Sequence, residues 1–145
     1  MPAENTAQLA VGRLLEIRAA AGYKCADDVD RLFAKVGAAV QQLPPGTQHV
    51  TVVDWRLCPI MAPEAAERIV QLISGTNDAT LRSAALAQNN SPVTVMQFLR
   101  VIRDAHHPDR KLFFEVSKLE SWLADVLGPE ERTRLAAFLA EVDVP

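Results

Sequence analysis

No stretch of this chain approaches the roughly 20 apolar residues that a membrane-spanning helix needs. Its start, Met1-Pro2-Ala3-Glu4-Asn5, carries neither a basic segment nor an apolar run, so no secretory signal is expected there. Cysteine is scarce. Cys25 and Cys58 stand far apart at no metal-ligand spacing, which fits free thiols in a reducing compartment and excludes a disulfide framework. Positive charge is not in excess: 15 Lys and Arg against 18 Asp and Glu give a formal net charge of −3. Bulk charge therefore offers no reason to expect nucleic acid or an anionic membrane as partner. Also missing are a Gly-x-Ser-x-Gly elbow, a glycine-rich phosphate loop and a His-Glu-x-x-His. These absences point to a cytoplasmic protein for which no cofactor, metal or catalytic residue is expected.

What is present is the balance of a globular α/β domain. With 49% hydrophobic and 23% charged residues, 145 residues can form one domain over 1–145 with its own core. Val29, Leu32, Phe33, Val36, Val40 and Leu43 recur at steps of three and four, predicting a helix from about Asp27 to Leu43. Pro44-Pro45-Gly46 stops it, since proline lacks the amide proton and restricts the residue before it. His49 to Trp55 is short, β-branched and bounded by turn residues, the pattern of a buried central strand. Pro63 opens a second helix with Ala66, Ile69, Val70 and Ile73 inside, closed by Gly75-Thr76-Asn77-Asp78.

Leu81 to Ala87 reads as a second strand. Ser91 before Pro92 caps a third helix with Val95, Leu99 and Ile102 on one side, broken by His106-His107-Pro108-Asp109. Lys111 to Val116 is a third strand. Ser117-Lys118-Leu119-Glu120 has the form of a capping box ahead of Leu119, Trp122, Leu123 and Val126. Gly128-Pro129-Glu130-Glu131 starts a last helix with Leu135, Phe138, Leu139 and Val142 buried. Strands separated by helices imply a parallel sheet with right-handed crossovers. The N-terminus reads two ways. Ala7 to Ala21 is rich in good helix formers, yet Gly12-Arg13 suits a two-residue turn between strands Ala7–Val11 and Leu14–Ala20.

Residues that carry chemistry are few. His106 and His107 are adjacent and project in different directions, with no further ligand at a zinc spacing, so a solvated turn at a helix end is the favoured reading. Cys58, Cys25 or Ser83 would need a positioned base to act as a nucleophile, and His49 lies at the opposite end of its strand from Cys58. Asp54 and Arg56 suit a structural ion pair. Arg82, Arg100, Arg103, Arg110 and Lys111 form the densest basic set, and Arg100 and Arg103 share a helix face. Such a set binds phosphate or an acidic partner, or is simply a solvated face. Trp55, near a strand end, belongs to the core or to the edge of a pocket.

The stretch Val52 to Leu139 resembles the STAS-like group, related to the bacterial anti-sigma-factor antagonists and the CRAL-TRIO-like lipid carriers. The residues behind this are Val52-Val53-Asp54-Trp55-Arg56 followed by a Pro-Glu helix start, then Leu81-Arg82-Ser83-Ala84-Ala85-Leu86 and Asp109-Arg110-Lys111-Leu112-Phe113. Ser121-Trp122-Leu123, Pro129-Glu130-Glu131-Arg132 and Ala137-Phe138-Leu139 complete the series. The resemblance implies a mixed sheet of about five strands, opened by an antiparallel hairpin and backed by helices, and it selects the hairpin at the N-terminus. Antagonists of this group carry a phosphorylatable serine in an Asp-Ser-Ser-Gly motif. Ala62, Pro63, Glu64 and Ala65 stand there in this chain, so no phosphoswitch is expected. Glu64 falls at the phosphoserine position, either as a fixed charge or, the favoured reading, as a first-turn acid on the helix dipole.

The expected function is thus a non-enzymatic protein-interaction domain whose partner is recognised at the C-terminal ends of the strands. Its candidate partner- or ligand-binding residues are Met61, Glu64, Asn89, Asn90, Arg100, Arg103 and Arg110. The alternative is a small-molecule binder for a lipid or nucleotide, which requires an apolar pocket of about 300 Å³ or more. An exposed hairpin edge would also allow pairing with a second copy.

Overall fold

The computed structural model describes residues 4–142 and residue 144. The chain runs β1 (Asn5–Leu9), β2 (Leu14–Ala19), α1 (Ala26–Val40), β3 (His49–Asp54), α2 (Pro63–Ser74), a short 3-10 turn at Asn77–Ala79 and β4 (Thr80–Leu86). It continues through α3 (Pro92–Asp104), β5 (Arg110–Phe113), α4 (Val116–Ala124) and α5 (Pro129–Ala140). The five strands lie in sequence order, β1-β2-β3-β4-β5. β1 and β2 are antiparallel, and every other pair is parallel. The fold class expected from the sequence, an α/β mixed sheet opened by a hairpin, is the one observed.

The hairpin turn works because Gly12 takes a positive φ of 56°, and the Leu14 N–H donates to the Val11 carbonyl. A side chain at Gly12 would also strike the Glu131 carboxylate. Pro63, Pro92 and Pro129 each sit in the first turn of a helix, where the missing N–H has no intrahelical role. Ser91 caps α3 by accepting from the Thr94 N–H.

Strands laid down in one direction by crossovers of one hand put their helices on one face. Accordingly α1, α2 and α3 share a core with Leu15, Ile17, Ala19, Trp55 and Ala85. The opposite face, with Leu14, Val50, Val52, Ala84 and Leu86, is covered by α4 and α5 through Leu119, Leu123, Leu135, Phe138 and Leu139.

Ion pairs hold α5 across that second face. Glu16 of β2 is buried and accepts from Arg134 at 2.8 and 2.7 Å. Asp54 at the end of β3 pairs with Arg18 at 3.2 Å and Arg56 at 3.0 Å. Both arginines also donate to the last carbonyls of α5, Arg18 to Phe138 and Arg56 to Leu139. Burial pushes the Asp54 pKa up, but hydrogen bonds from Arg56 and Arg18 outweigh it and the net shift is downward. The Asp54–Arg56 pair is therefore structural, as its spacing suggests.

Several sequence expectations need correction. α4 begins at Val116 with Glu115 as its N-cap, so Ser117 lies inside the helix and the Ser117–Glu120 capping box does not form. The strand expected over Lys111–Val116 is Arg110–Phe113, because α4 has already begun. The inner face of α3 is Phe98 and Val101, while Leu99 is exposed. The face is set by Phe98 packing on Trp55, with ring centroids 4.6 Å apart. The first hairpin strand lies two residues earlier than expected, whereas the second starts at Leu14 as expected, so the connection has four residues, Ala10 to Arg13, in place of two.

Removing one member of a buried ion pair leaves the other charge unpaired and typically costs 3–5 kcal/mol. Arg134→Ala, which strands the buried Glu16, is expected to destabilise the chain by about 3 kcal/mol in urea titration. Glu16→Met with Arg134→Leu is expected to recover most of that loss, since neither charge is then stranded.

Candidate functional site

A cavity of about 230 Å³ lies between the sheet and helices α1 and α2. Its floor follows from the strand register. Thr51 of β3, Ser83 of β4 and Arg110 of β5 lie side by side in one row across the sheet, and Val53, Ala85 and Leu112 form the next. Small side chains on the two central strands leave this space beneath Leu32, Phe33 and Val36 of α1 and Ile69 and Ile73 of α2. The walls are almost entirely apolar; the polar groups collect at the N-terminal end of the strands. There His49, Thr51, Thr76, Thr80, Ser83 and Arg110 line it.

Arg110 is held from one side. Its Nε donates to Asn77, and its Nη2 to the Ile73 carbonyl at 3.0 Å and to Thr76 and Asn77 at 3.1 Å. Among the described residues no carboxylate pairs with it and no hydrogen bond uses its Nη1. Burial lowers its pKa to about 10, which leaves it charged at neutral pH. His49, 3% exposed, hydrogen-bonds through Nδ1 to Thr51 at 3.0 Å. Burial, reinforced by the Arg110 charge, pushes its pKa down to about 4, so its imidazole is neutral.

The other end of the cavity is formed by Trp55 and Tyr23, both buried. Among the described residues the Trp55 indole N–H makes no well-formed hydrogen bond, although it lies close enough to the Tyr23 hydroxyl to favour its phenolate. Burial raises the pKa of Tyr23, the Cys58 thiol adds to the rise, and the indole N–H offsets it in part. Cys58 itself is pushed up to about 12 by burial, which keeps it a thiol and a poor nucleophile. Gly37, in the middle of α1, also lines the cavity; a Cβ there would meet nothing within 4 Å.

A second concavity, of about 1000 Å³, runs along the outer surface between α2 and α3. Ile60, Val93, Met96 and Leu99 line it and are 53, 64, 70 and 49% exposed, an unusual concentration of apolar surface. Glu67 stands on its α2 side, with Arg100, Arg103 and Asp104 on its α3 side.

The candidate residues from the sequence fall in different places. Arg100 and Arg103 line the outer groove, and Glu64 is exposed beside the lining residue Pro63. Asn89 and Asn90 are exposed on the loop before α3. Met61 is buried, its backbone N–H and carbonyl both held by Gln97 at 2.8 and 2.9 Å, so it offers no surface. Arg110 is turned into the interior cavity and does not join Arg100 and Arg103 in one basic face. Arg82 is drawn to the opposite face by Asp125 at 2.6 Å, and Lys111 lies over the Trp122 ring.

His107 has both ring nitrogens engaged, with the Thr80 carbonyl and the Asp109 N–H. Sequence reasoning missed His49, Thr51 and Ser83 as one group, although polar residues on buried strands were the available signal. The cavity is smaller than the 300 Å³ that a drug-sized ligand requires. Compared with protein-family models, curated proteins and solved structures, the chain matches none of them.

Two measurements check this geometry. His49 is neutral when folded and titrates near 6.5 when unfolded, so its stabilising contribution is complete above pH 6.5 and is lost as the pH falls toward 4. Urea titrations across that window should lose on the order of 3 kcal/mol, and His49→Gln should flatten the profile there. Gly37→Ala should raise stability by about 0.5–1 kcal/mol, because the mid-helix glycine has no packing role to lose.

Proposed function

We propose that this chain is a cytoplasmic, STAS-like bacterial regulatory domain without catalytic activity, and that it binds a helical segment of a protein partner in the groove between α2 and α3. The observation that carries this reading is the exposed apolar lining of that groove, Ile60, Val93, Met96 and Leu99. Two adjacent helices form a trough that suits an amphipathic helix with anchors on one face. The walls differ in charge: Glu67 on one side, and on the other two arginines, 75 and 71% exposed, against Asp104 alone. A partner helix with acidic residues along one flank and basic residues along the other fits this polarity and would be oriented by it.

The mixed sheet with its opening hairpin supports the STAS-like reading, and no helix among the described residues is long and apolar enough to cross a membrane. The position equivalent to the antagonists' phosphorylated serine holds Glu64, so control by phosphorylation there is absent from the proposal.

Met96, 70% exposed, can be changed without disturbing the core. Met96→Asp is expected to leave thermal stability unchanged and to weaken, at least ten-fold, binding of a partner captured from the native host. Cross-linking should map the wild-type contact to an amphipathic helix with charged flanks. The reading fails if Met96→Asp binds the same partner equally well, if the contact maps elsewhere, or if sedimentation shows that a second copy of this chain fills the groove.

A further inference from the structure

We infer that the interior cavity is a binding site for a small amphipathic molecule bearing one negative charge, a medium-chain carboxylate, with its head at Arg110 and its tail directed toward Trp55. The site is separate from the outer groove, and the inference stands without the interaction reading.

Charge on the sheet is unbalanced at one place. Each of the other inward-drawn charges on the sheet is paired: Glu16 with Arg134, and Asp54 with Arg18 and Arg56. Arg110 alone among these has no carboxylate partner among the described residues. Its guanidinium is nevertheless fixed, through Nε and Nη2, by Ile73, Thr76, Asn77 and Thr80. One edge is thereby left for an oxyanion, and an arginine edge is suited to a carboxylate. Thr51 and Ser83 lie in the same row and add hydroxyl groups at the same end.

The number of charges follows from the same residues. His49 is neutral and the Lys111 ammonium is drawn over the Trp122 ring on the opposite face, so Arg110 supplies a single positive charge. A monoanion balances it; a phosphate monoester dianion would leave an uncompensated negative charge in an apolar cavity, which is costly. The tail follows from the walls, since Leu15, Ile17, Leu32, Val36 and Ile69 offer only apolar contact. Trp55 and Tyr23 close the far end, where their rings meet the end of the tail. The volume of about 230 Å³ sets the scale: a short or medium chain fits, and a two-chain lipid does not.

The test uses the full chain and three probes of equal length: octanoate, octan-1-ol and octylammonium. By titration calorimetry octanoate should bind at least ten-fold more tightly than octanol, and octylammonium not at all. In a ¹H–¹⁵N spectrum octanoate should shift the Trp55 indole resonance. Arg110→Gln should abolish the preference for octanoate over octanol. Because Arg110 also ties the 3-10 turn to α2, Ala85→Leu provides a second variant that fills the floor and should abolish binding of both. Failure of octanoate to bind, equal binding of octanol, or an unmoved Trp55 resonance would each overturn the inference, and each is read on the wild-type protein alone.

Discussion

The constraint that shapes this molecule is directional. After the hairpin, every strand is added on the same side of its predecessor, and every crossover helix therefore lands on the same face. The first face is covered as the chain proceeds. The second is left with Leu14, Val50, Val52 and Leu86 uncovered until α4 and α5 return over it. Burial drives that return, but it is non-directional and does not set an angle. The two carboxylates do. Glu16 and Asp54 lie on that face, and their arginine partners reach α5 at its middle and at its last carbonyls.

The same asymmetry explains why the two faces differ in character. On the α5 face, polar side chains are consumed in ion pairs. On the α1–α3 face, Thr51, Ser83 and Ala85 are too small to meet the helices above them, and a cavity remains. Natural cores rarely leave such space without consequence, because unfilled volume forfeits contacts. Here the loss coincides with an arginine that has no carboxylate partner among the described residues. The outer groove is a different matter: it exists because α2 and α3 are neighbours and no later element crosses them.

Much of the fold was legible in the sequence. The order of strands and helices followed from periodicity, proline position and β-branched runs, and Gly12 marked the hairpin. The misreadings have local causes. The Ser117–Glu120 pattern matched a capping box, but the chain turned into α4 two residues earlier, at Glu115. Leu99 and Phe98 were equally apolar, and only stacking on Trp55 chose between them. The sites were far less legible. Arg110 was grouped with Arg100 and Arg103 because they are close in sequence, whereas the start of β5 turns its side chain beneath α2. His49 and Ser83 come together only through strand register, a long-range property that no local pattern encodes.

The Glu131 carboxylate joins two distant parts of the chain. It accepts the N–H of Gly128 at 2.8 Å, at the start of α5, and the N–H of Arg13 at 2.9 Å, in the hairpin turn. One side chain thus clasps the hairpin turn to α5, across 118 positions of sequence. When folding starts from the hairpin and the three crossovers, this clasp is still open. For that interval Glu16 and Asp54 face water rather than α5, and the folding domain is a half-sandwich with one greasy side open. A folding intermediate that lacks the clasp therefore presents an apolar sheet face to other chains, so closing it guards against self-association.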